Sequence, residues 1–379
     1  MELRTFEWTP AHGWSAAPGW ADTRETVVLA FGDATLRDHP EALRELYAAY
    51  PSSHVVGCST AGQILGTTLS DGGLVVGVAH FDASTVRSAV RPIDHADDSF
   101  RAGRGVASAL ADEDLRAVFL MCDGLGVNGS GLARGVASVV SPDVVVTGGL
   151  AGDDDRFGST WVLADGAPVS GHVCAVGICG PRVRAGHGSQ GGWDRFGPER
   201  LVTRSSANVL YELDGRPALE TYRSYLGELA DGLPAAALLF PLALRSDLGD
   251  GQQLVRTVLS VDDDTQSMTF AGDVPEGSFA QLMHANFERL VGGASDAANA
   301  AAGMMPGGAD ATLAIAVSCV GRRLVLGERT EDELDAVFDQ LPAGSAQIGF
   351  YSYGELSPAR GGLCELHNQT MTLTTLCEV

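Results

Sequence analysis

The sequence predicts an α/β protein with mixed sheets, built from repeated strand–helix–strand–hairpin units that form two modules packed together. Residues 26–64 and residues 116–153 show the same order of elements. They begin about 90 residues apart, a spacing typical of an internal repeat. A looser third copy occurs near the C-terminus. Of the 379 residues, 45% are hydrophobic, which is enough to bury a large core.

The first two copies contain the same sequence patterns for strands, helix and turns, in the same order. Each begins with an apolar run that ends in a small residue and an aspartate, at Gly32-Asp33 and at Cys122-Asp123. A stretch with apolar residues near i, i+3 and i+4 follows and predicts a helix. A valine-rich strand, a glycine-rich turn and two strands joined at an Asp-Gly pair complete each copy.

The third copy begins with the strand-like run ATLAIAVSCVGRR. TEDELDAVFDQL then predicts a helix with Thr330 as its N-cap and Glu333 completing a capping box. AQIGFYSYGEL and ELHNQTMTLTTL predict further strands. Before this copy, the pattern predicts two antiparallel strands with a turn at 262–265, and then a helix over residues 281–302.

We divide the chain into an N-terminal extension at residues 1–24, a module at residues 25–200 and a second module at residues 201–379. The boundary follows GHGSQGGWDRFG at residues 186–197, which is rich in glycine and polar residues and is therefore linker-like. The extension contains three tryptophans, and its pattern does not show whether it packs on the modules.

Charge and composition exclude several classes of function. The formal net charge is −23, which opposes binding to nucleic acids and to anionic membranes. All 25 basic residues are arginines. Without lysine, this chain has no Schiff-base or P-loop lysine. No apolar run reaches the ~18 residues of a membrane span and no N-terminal segment resembles a signal peptide, so we expect a cytoplasmic protein.

The seven cysteines predict neither a zinc ribbon nor covalent haem attachment, because none of them forms a CxxC motif. We expect most of them to be small buried residues in a reducing compartment. Cys174 and Cys179 are the closest pair. Their five-residue separation along one strand places them on opposite faces of that strand.

Several motifs occur in an order that resembles the FIST family of bacterial sensory proteins. The first module contains GCSTAGQI at 57–64 and GGLAGDD at 148–154. The second contains ELDGRPALETY, VR at 255–256, VPEGS, SCVGRR, GFYSYGEL and LHNQTMTL. The resemblance extends over roughly residues 25–376, which makes the two modules FIST N-like and FIST C-like.

The resemblance implies a ligand-sensing protein and not an enzyme. It implies a small-molecule ligand, amino-acid-like in character, and a separate signalling partner such as a histidine kinase or a cyclic-nucleotide enzyme. Some members of the family bind haem and sense nitric oxide for a histidine kinase, so haem is the alternative cofactor. A homo-oligomer is compatible with these expectations.

The glycine-rich turns form the first candidate ligand site. Glycine permits positive φ values that turn successive backbone N–H groups toward one concavity, which then binds an anion. We predict that the two turns approach one cavity. The alternative is that the glycines serve only the sterics of tight turns. The candidate residues are Cys58, Ser59, Thr60, Gly148 and Gly149.

The second module contributes a larger set of candidate ligand-binding residues. A guanidinium binds a carboxylate through two parallel hydrogen bonds, and a carboxylate accepts from an ammonium group. The set therefore suits both ends of an amino acid. The alternative is a buried Arg–Glu pair that joins the modules. The residues are Arg256, Cys319, Arg322, Glu355, His367 and Asn368.

Two further hypotheses concern haem and catalysis. Haem needs an axial side chain, most often histidine, and an apolar slot. The candidates are His187, His284 and His367, with His284 on a predicted amphipathic helix. We assign no catalytic residue, and the alternative is a hydrolase that uses Cys58 or Glu355. The segment around Cys58 lacks the GxSxG spacing of hydrolases.

Overall fold

Three units with the same topology, and one insert, make up the protein. The computed structural model describes residues 1–233, 235–245, 254–306, 311–359 and 361–379. Unit 1 spans residues 1–80 and unit 2 spans residues 85–179. Unit 3 spans residues 183–378 and is interrupted by the insert at residues 193–285. The repeat predicted for the first two copies, and its third copy, are confirmed.

The bounds of the elements in the first two units are as follows. Unit 1 contains β1 (Glu2–Thr9), β2 (Gly13–Trp14), β3 (Thr26–Asp33), α1 (Glu41–Ala49), β4 (His54–Thr60), β5 (Gln63–Leu65), β6 (Thr68–Ser70) and β7 (Leu74–His80). Unit 2 contains β8 (Thr85–Pro92), α2 (Ser99–Leu110), β9 (Leu115–Cys122), α3 (Gly129–Ala137), β10 (Val145–Leu150), β11 (Val162–Ala164), β12 (Ala167–Val169) and β13 (His172–Cys179).

Unit 3 begins with β14 (Val183–Gln190) and resumes after the insert. The insert contains β15 (Trp193–Ser206), β16 (Val209–Leu213), β17 (Arg216–Pro217), α4 (Ala218–Leu226), β18 (Leu242–Arg245), β19 (Leu254–Arg256), β20 (Val258–Asp262), β21 (Ser267–Phe270) and β22 (Phe279–Ala285). Unit 3 then continues with α5 (Phe287–Gly303), β23 (Leu313–Cys319), α6 (Val320–Leu326), α7 (Thr330–Phe338), β24 (Ala346–Ser352), β25 (Gly354–Pro358), β26 (Cys364–His367) and β27 (Met371–Glu378).

The three units pair their strands in the same way. In each unit the two long strands around a helical connection are parallel, as in β3–β4, β9–β10 and β23–β24. The last strand of each unit pairs antiparallel with the first of these two. An edge strand (β1, β8 or β14) then adds antiparallel to that last strand.

Each unit contributes its hairpin to the sheet of another unit. The hairpin β5–β6 of unit 1 pairs with β24, β11–β12 of unit 2 pairs with β4, and β25–β26 of unit 3 pairs with β10. The exchange is cyclic, so every one of the three sheets contains strands from two units. The modules were predicted to pack together, and they do so by sharing strands within the same sheets.

One apolar core lies between the three sheets. The inner faces of β3, β9 and β23 all contribute to it. Phe31 lies 4.8 Å from Phe350 and 6.4 Å from Phe119, measured between ring centroids, so one aromatic ring from each unit meets at the centre. Helices cover the outer faces: α1 on unit 1, α2 and α3 on unit 2, and α5 and α7 on unit 3.

Three equivalent glycines explain how closely the parallel strands approach. A Cβ atom on Gly57, Gly148 or Gly349 would lie 2.0, 1.8 or 1.9 Å from a carbonyl oxygen of the facing strand. Any side chain at these positions would force the strands apart. The need for glycine here is therefore steric.

The N-terminal extension is part of unit 1. β1 pairs with β7 along its length, from Glu2 opposite His80 to Trp8 opposite Leu74. The indole of Trp14 donates to Glu45 of α1 at 2.8 Å. The extension therefore packs on the unit instead of extending from it.

The insert is an antiparallel sheet with the order β19-β18-β22-β15-β16-β21-β20, and β17 pairs with β16. α4 packs on it over an apolar core that includes Leu219, Tyr222 and Phe270. Trp193 pairs with Ala285, so the chain enters and leaves the insert side by side. The predicted module boundary at residue 200 lies within β15.

Some local predictions are confirmed and others are wrong. The predicted hairpin is confirmed, because β20 and β21 pair across the turn at 262–265. The predicted helix over residues 281–302 begins later, at Phe287, because residues 279–285 alternate along strand β22. No helix within the described ranges has the length and hydropathy needed to cross a membrane.

The predicted capping box is also wrong. Thr330 is the first residue of α7, and its hydroxyl donates to the carbonyl of Gly327 at 2.6 Å. The side chain of Glu333 does not bond to the backbone amide at the start of the helix, because its carboxylate binds a buried arginine.

Candidate functional site

The turns after β4, β10 and β24 meet at one place, which we call the hub (residues 57–62, 148–153 and 349–354). Three backbone hydrogen bonds join them in a cycle. They run from the amide of Ala61 to Tyr351 at 2.8 Å, from Gly152 to Ser59 at 3.0 Å, and from Tyr353 to Leu150 at 3.2 Å. The two glycine-rich turns therefore lie close together, as predicted, and the turn of unit 3 joins them. They bond to one another, whereas the prediction placed a cavity between them.

The candidate residues of the first turn have protein partners. The hydroxyl of Ser59 accepts from the amide of Trp161 at 3.0 Å, and its carbonyl accepts from Gly152. The hydroxyl of Thr60 donates to Gly32 at 3.2 Å and accepts from Gln63 at 2.6 Å. These polar groups are buried and bonded within the hub.

Cys58 lies in the central core and is fully buried. Burial raises the pKa of its thiol well above the ordinary value, so the reactive thiolate is disfavoured. The other cysteines are also buried thiols, and Cys174 and Cys179 face different clusters, as predicted. Burial likewise raises the pKa of Cys319, which precedes α6.

Gly148 and Gly149 lie in β10, where sheet pairing uses the backbone. Gly148 is one of the three sterically required glycines. Gly149 pairs with Glu355 of β25, and a Cβ there would lie 2.7 Å from Val317. The steric explanation accounts for both glycines without a ligand.

Arg322 forms a buried ion pair with Glu333, and both side chains are 0% exposed. Its guanidinium donates to one carboxylate oxygen at 2.7 and 3.0 Å, and to the carbonyls of Gly191 at 2.5 Å and Leu290 at 2.8 Å. Glu333 also accepts from Ser318 and Tyr351. The pair is saturated, which matches the alternative of a structural Arg–Glu pair.

Arg256 connects the insert to the hairpin of unit 3. It donates to the carbonyl of Asp273 at 2.9 Å and to those of Val255 and Leu366 at 3.1 Å. Burial lowers its pKa to about 10, so it remains charged at neutral pH. Three backbone carbonyls therefore bind this guanidinium.

A cavity of about 570 Å³ lies where the insert meets unit 3, and we call it the seam cavity. β14, α5, the start of β15 and the hairpin β25–β26 contribute to its wall. None of its described lining side chains is acidic or an arginine. Three of the predicted residues line it, namely His187, His367 and Asn368.

Asn368 is a lining residue of this cavity whose side chain is fully buried. Within the described part of the chain, neither its amide nitrogen nor its amide oxygen has a hydrogen-bond partner. Leaving a buried polar group unpaired costs about 1–3 kcal/mol. The amide nitrogen lies beside Gly354, and the surrounding protein closes both amide atoms off from the open volume of the cavity.

Thr370 links the cavity to a buried carboxylate. Its hydroxyl and its amide donate to one oxygen of Glu355 at 2.9 and 3.1 Å, and Ser352 donates to the other at 2.8 Å. Burial raises the pKa of Glu355 to about 8. Glu355 itself lies behind Thr370 and is fully buried.

The two histidines of the cavity are held in their neutral form. Burial, assisted by the charge of Arg256, lowers the pKa of His367 to about 4. Its Nε2 lies 3.3 Å from the carbonyl of Ser357 and must donate to it, which leaves Nδ1 as an acceptor. Burial also lowers the pKa of His187.

His284 lies outside the seam cavity. Its exposed side chain is on β22 and makes an edge contact with Phe196. The preceding residue, Met283, lines the cavity, so His284 points to the opposite face of the strand. The sequence analysis placed His284 on a helix. The residue lies on a strand, so the predicted direction of its side chain was wrong.

Sequence reasoning missed part of the cavity wall. Residues 186–197 were interpreted as a linker, yet they form β14 and the start of β15 and supply Ser189, Gln190 and Trp193. The glycines of this stretch masked the alternation of its strand. The described residues contain no group of three His, Cys, Asp or Glu side chains arranged to hold a metal ion.

Comparisons with known proteins agree with the motifs. The FIST N domain model matches residues 26–216, and the FIST C domain model matches residues 218–358. An uncharacterized protein of Methanocaldococcus jannaschii, MJ1623, is 28% identical in an alignment 167 residues long that covers 39% of this chain. The match covers 31% of that protein, so the chain spans about a third of the length of this relative.

Two solved structures of cyanuric acid hydrolase are distant matches. The one from A. caulinodans has a TM-score of 0.36 and 9% identity, with 99% of both chains covered. The other has a TM-score of 0.30 and 12% identity, covering 75% of this chain and 99% of that chain. Neither value supports an argument about function. The two domain models together show that this chain belongs to the FIST family, a family of sensory and signalling domains.

Proposed function

We propose that the protein is a receptor that binds a small, polar, amino-acid-like molecule in the seam cavity and signals to a separate protein. The observation that carries the proposal is the seam cavity itself, which lies between the insert and unit 3 and is lined by the neutral imidazoles of His187 and His367. The volume of about 570 Å³ falls in the range of about 300–1,000 Å³ that is common for small-molecule sites.

The polar groups of the cavity suit an amino-acid-like ligand. The exposed amide of Gln190 lines the cavity, where its nitrogen can donate to a carboxylate and its oxygen can accept from an ammonium group. Nδ1 of His367 offers a second acceptor. None of the described side chains of the wall is acidic or an arginine, so this part of the wall adds no net charge that would oppose a zwitterion, which itself carries none.

Signalling follows from the position of the cavity between two parts of the fold. A ligand that contacts both the insert and unit 3 stabilises the arrangement in which both contacts are made. The ligand thereby shifts an equilibrium between arrangements of the insert, which a partner protein can read. We assign the partner role to a signalling enzyme, such as a histidine kinase or a cyclic-nucleotide enzyme, as the family resemblance implies.

Calorimetry against amino acids and dicarboxylates tests the receptor hypothesis. We expect at least one amino acid to bind, and Gln190→Leu to weaken it about 5- to 100-fold, since a hydrogen-bonding group is worth about 1–3 kcal/mol. His284→Asn is the matched control, because this exposed side chain lies on the far face of β22. Equal affinities of the Gln190 variant and the control protein would contradict the proposal.

Haem is a second candidate because two neutral histidines line the same cavity. Neutral imidazole is the form that ligates iron. The wall also contains apolar side chains, including Trp193, Met283 and Ala300, so the residues present fit the group. His367 would ligate through Nδ1, since Nε2 donates to Ser357, and His187 is the other candidate ligand. When bound, haem supplies an iron centre for a diatomic gas such as nitric oxide.

An optical spectrum after haem is supplied tests the second candidate. A Soret band that His367→Ala or His187→Ala shifts, and that His284→Ala leaves unchanged, would support haem in the seam cavity. A protein that takes up no haem would remove this candidate and leave the receptor hypothesis intact.

We propose no catalytic role for the chain. Cys58 and Glu355, the two candidates for a hydrolase, are each 0% exposed. Burial also raises the pKa of the Cys58 thiol, which removes the nucleophilic thiolate. Turnover of any amide or ester that is lost in Cys58→Ala or Glu355→Gln would overturn this view.

A further inference from the structure

Arg322 and Arg256 are both buried arginines, but they differ in how their charge is balanced. Arg322 is paired with Glu333. Among the described residues Arg256 has no ion-pair partner, and its Nε and Nη1 donate to three backbone carbonyls. Burial outweighs the nearby charges of Asp273 and Glu365 and lowers the pKa of Arg256 to about 10. The buried positive charge is therefore only partly compensated by the protein.

The remaining terminal nitrogen of Arg256, Nη2, is an unused donor. Within the described part of the chain it has no hydrogen-bond partner. The unpaired side-chain atoms that are closed off from solvent belong to other described residues, so Nη2 retains accessible surface. The residue as a whole is only 4% exposed. A charged donor thus opens onto a small space from an otherwise buried side chain.

That space is a pocket of about 210 Å³, which we call the junction pocket. α3 of unit 2, the insert and β26 of unit 3 contribute to its wall. Leu254 and Arg256 line it, whereas Val255, which lies between them on β19, lines the seam cavity. Alternate residues of a strand point to opposite faces, so the two cavities lie on opposite sides of β19.

Ser130 of α3 supplies a second donor to the junction pocket. Its hydroxyl oxygen accepts from the amide of Asp273 at 3.3 Å, and its proton has no acceptor among the described residues. A Cβ atom on Gly272 would lie 2.8 Å from this oxygen and 3.0 Å from Nε of Arg256. The glycine therefore leaves open a space that the hydroxyl and the guanidinium share.

The acidic side chains of the wall limit the charge of a ligand. Asp273 accepts from Arg134 at 2.6 Å and from Asn128 at 3.0 Å, so its charge is balanced. Glu365 also lines the pocket and would repel a second negative charge. A carboxylate carries a single negative charge on two acceptor oxygens, and its hydrogen bonds to charged donors are strong.

From these contacts we infer that the junction pocket binds one carboxylate group, whose oxygens accept from Nη2 of Arg256 and from the hydroxyl of Ser130. The bound group would give Arg256 the opposite charge that Glu333 gives Arg322. The site is separate from the seam cavity and does not depend on the proposed receptor function. A small free acid and the C-terminus of a peptide are the two sources of such a group.

Calorimetry on the full chain at constant ionic strength tests the inference. The probes are acetate, propionate, and acetamide as the uncharged molecule closest in shape to acetate. N-acetyldiglycine presents the carboxylate at the end of a peptide. We expect at least one carboxylate to bind about 10-fold or more tightly than acetamide, which corresponds to about 1.4 kcal/mol. Whether propionate or N-acetyldiglycine binds more tightly identifies the source.

Two variants assign the binding to the junction pocket. Ser130→Ala should weaken carboxylate binding about 5-fold or more, and Arg256→Met should abolish it. Ser108→Ala is the matched control, because this serine is exposed on α2. Arg256→Met also removes three hydrogen bonds to backbone carbonyls, so circular dichroism must first show that it folds. If it does not fold, Ser130→Ala decides the test.

Three outcomes would overturn the inference. The first is that no carboxylate binds in the millimolar range, or that acetamide binds equally well. The second is carboxylate binding that is unchanged in Ser130→Ala and in a folded Arg256→Met. The third is competition by chloride or phosphate that equals competition by acetate, because the pocket would then attract anions without preferring a carboxylate.

Discussion

The hub and the seam cavity differ in the elements that build them and in the open volume that they leave. The hub joins three turns of the repeated units, and backbone amides and hydroxyls of these turns bond to one another. The seam cavity lies where β14, α5 and the last hairpin of unit 3 meet the insert, and its volume is about 570 Å³. The contrast indicates that the repeated architecture closes its own centre, and that a cavity forms where the insert interrupts the repeat.

Equivalent positions make this contrast specific. By strand register, Gln369 occupies the place held by Gly72 in unit 1 and Gly171 in unit 2. All three have positive φ, of 63°, 73° and 63° respectively. Only unit 3 has a side chain there, and that side chain bonds to the insert. The strained conformation is therefore retained in unit 3 because the side chain is anchored.

The largest expected effect comes from breaking the buried pair beside the hub. Arg322→Met leaves Glu333 buried without its cation and should lower the free energy of unfolding by about 3–5 kcal/mol. Arg322→Met combined with Glu333→Leu removes both charges and should recover most of the loss. Urea unfolding measures both variants. A single variant as stable as the parent would show that the pair is not what holds these elements together.

A slightly smaller effect should follow from adding one methyl group to the hub. Gly57→Ala would place a Cβ 2.0 Å from the carbonyl oxygen of Ala30, so the strands must move and stability should fall by about 3 kcal/mol. Gly292→Ala in α5 is the control, because its Cβ meets nothing within 4 Å and should stabilise the helix by about 1 kcal/mol. Similar melting temperatures of the two variants would contradict the steric account.

A pH effect should distinguish the carboxylate behind the seam cavity from exposed acids. Folding raises the pKa of Glu355 from 4.5 to about 8, so the folded state binds more protons and the free energy of unfolding falls as pH rises. Between pH 6.5 and 8 the contribution of Glu355 should fall by about 1.6 kcal/mol, because the slope is about 1.4 kcal/mol per pH unit at pH 6.5 and half of that at pH 8. Glu355→Gln should remove this slope.

The window starts at pH 6.5 because His367 acts in the opposite direction below it. Its folded pKa is lowered to about 4, so the unfolded state takes up the proton first and stability falls as pH drops below 6.5. The exposed Glu228→Gln provides the control for the slope. If Glu355→Gln keeps the slope of the parent chain, another group must cause it.

The smallest effect should come from making unit 3 resemble the other two units. Gln369→Gly relieves the positive φ but loses two hydrogen bonds to the insert, so stability should change by less than about 1 kcal/mol. Ligand affinity should nevertheless fall several-fold, and amide exchange in the insert should accelerate. Unchanged exchange at Leu238 and its neighbours would mean that this side chain does not couple the insert to unit 3.

Local patterns in the sequence predicted the repeated elements because each element has its own periodicity and turn signals. The spacing of 90 residues, the two glycine-rich turns and the hairpin at 262–265 all follow from short stretches. The alternative of a buried Arg–Glu pair was also open from the sequence, and Arg322 forms such a pair, although with Glu333 and not with the candidate Glu355.

Contacts between distant segments could not be predicted from the same signals. The exchange of hairpins depends on pairing between segments far apart in the chain, such as β5 with β24. Glu333 matched a capping box locally, but a buried guanidinium competes for its carboxylate more strongly than the helix N-terminus does. The seam cavity combines residues from β14, α5, the insert and the last hairpin, so no single stretch reveals it.

The exchanged hairpins also determine how this chain can be divided. Cutting it between units would leave a bare sheet edge on one fragment and an orphaned pair of strands on the other. Truncated versions should therefore aggregate unless the complementary fragment is co-expressed. The FIST N and FIST C domain models therefore describe two stretches of sequence and not two parts that fold separately. We expect the three units to fold together, because each sheet contains strands from two of them.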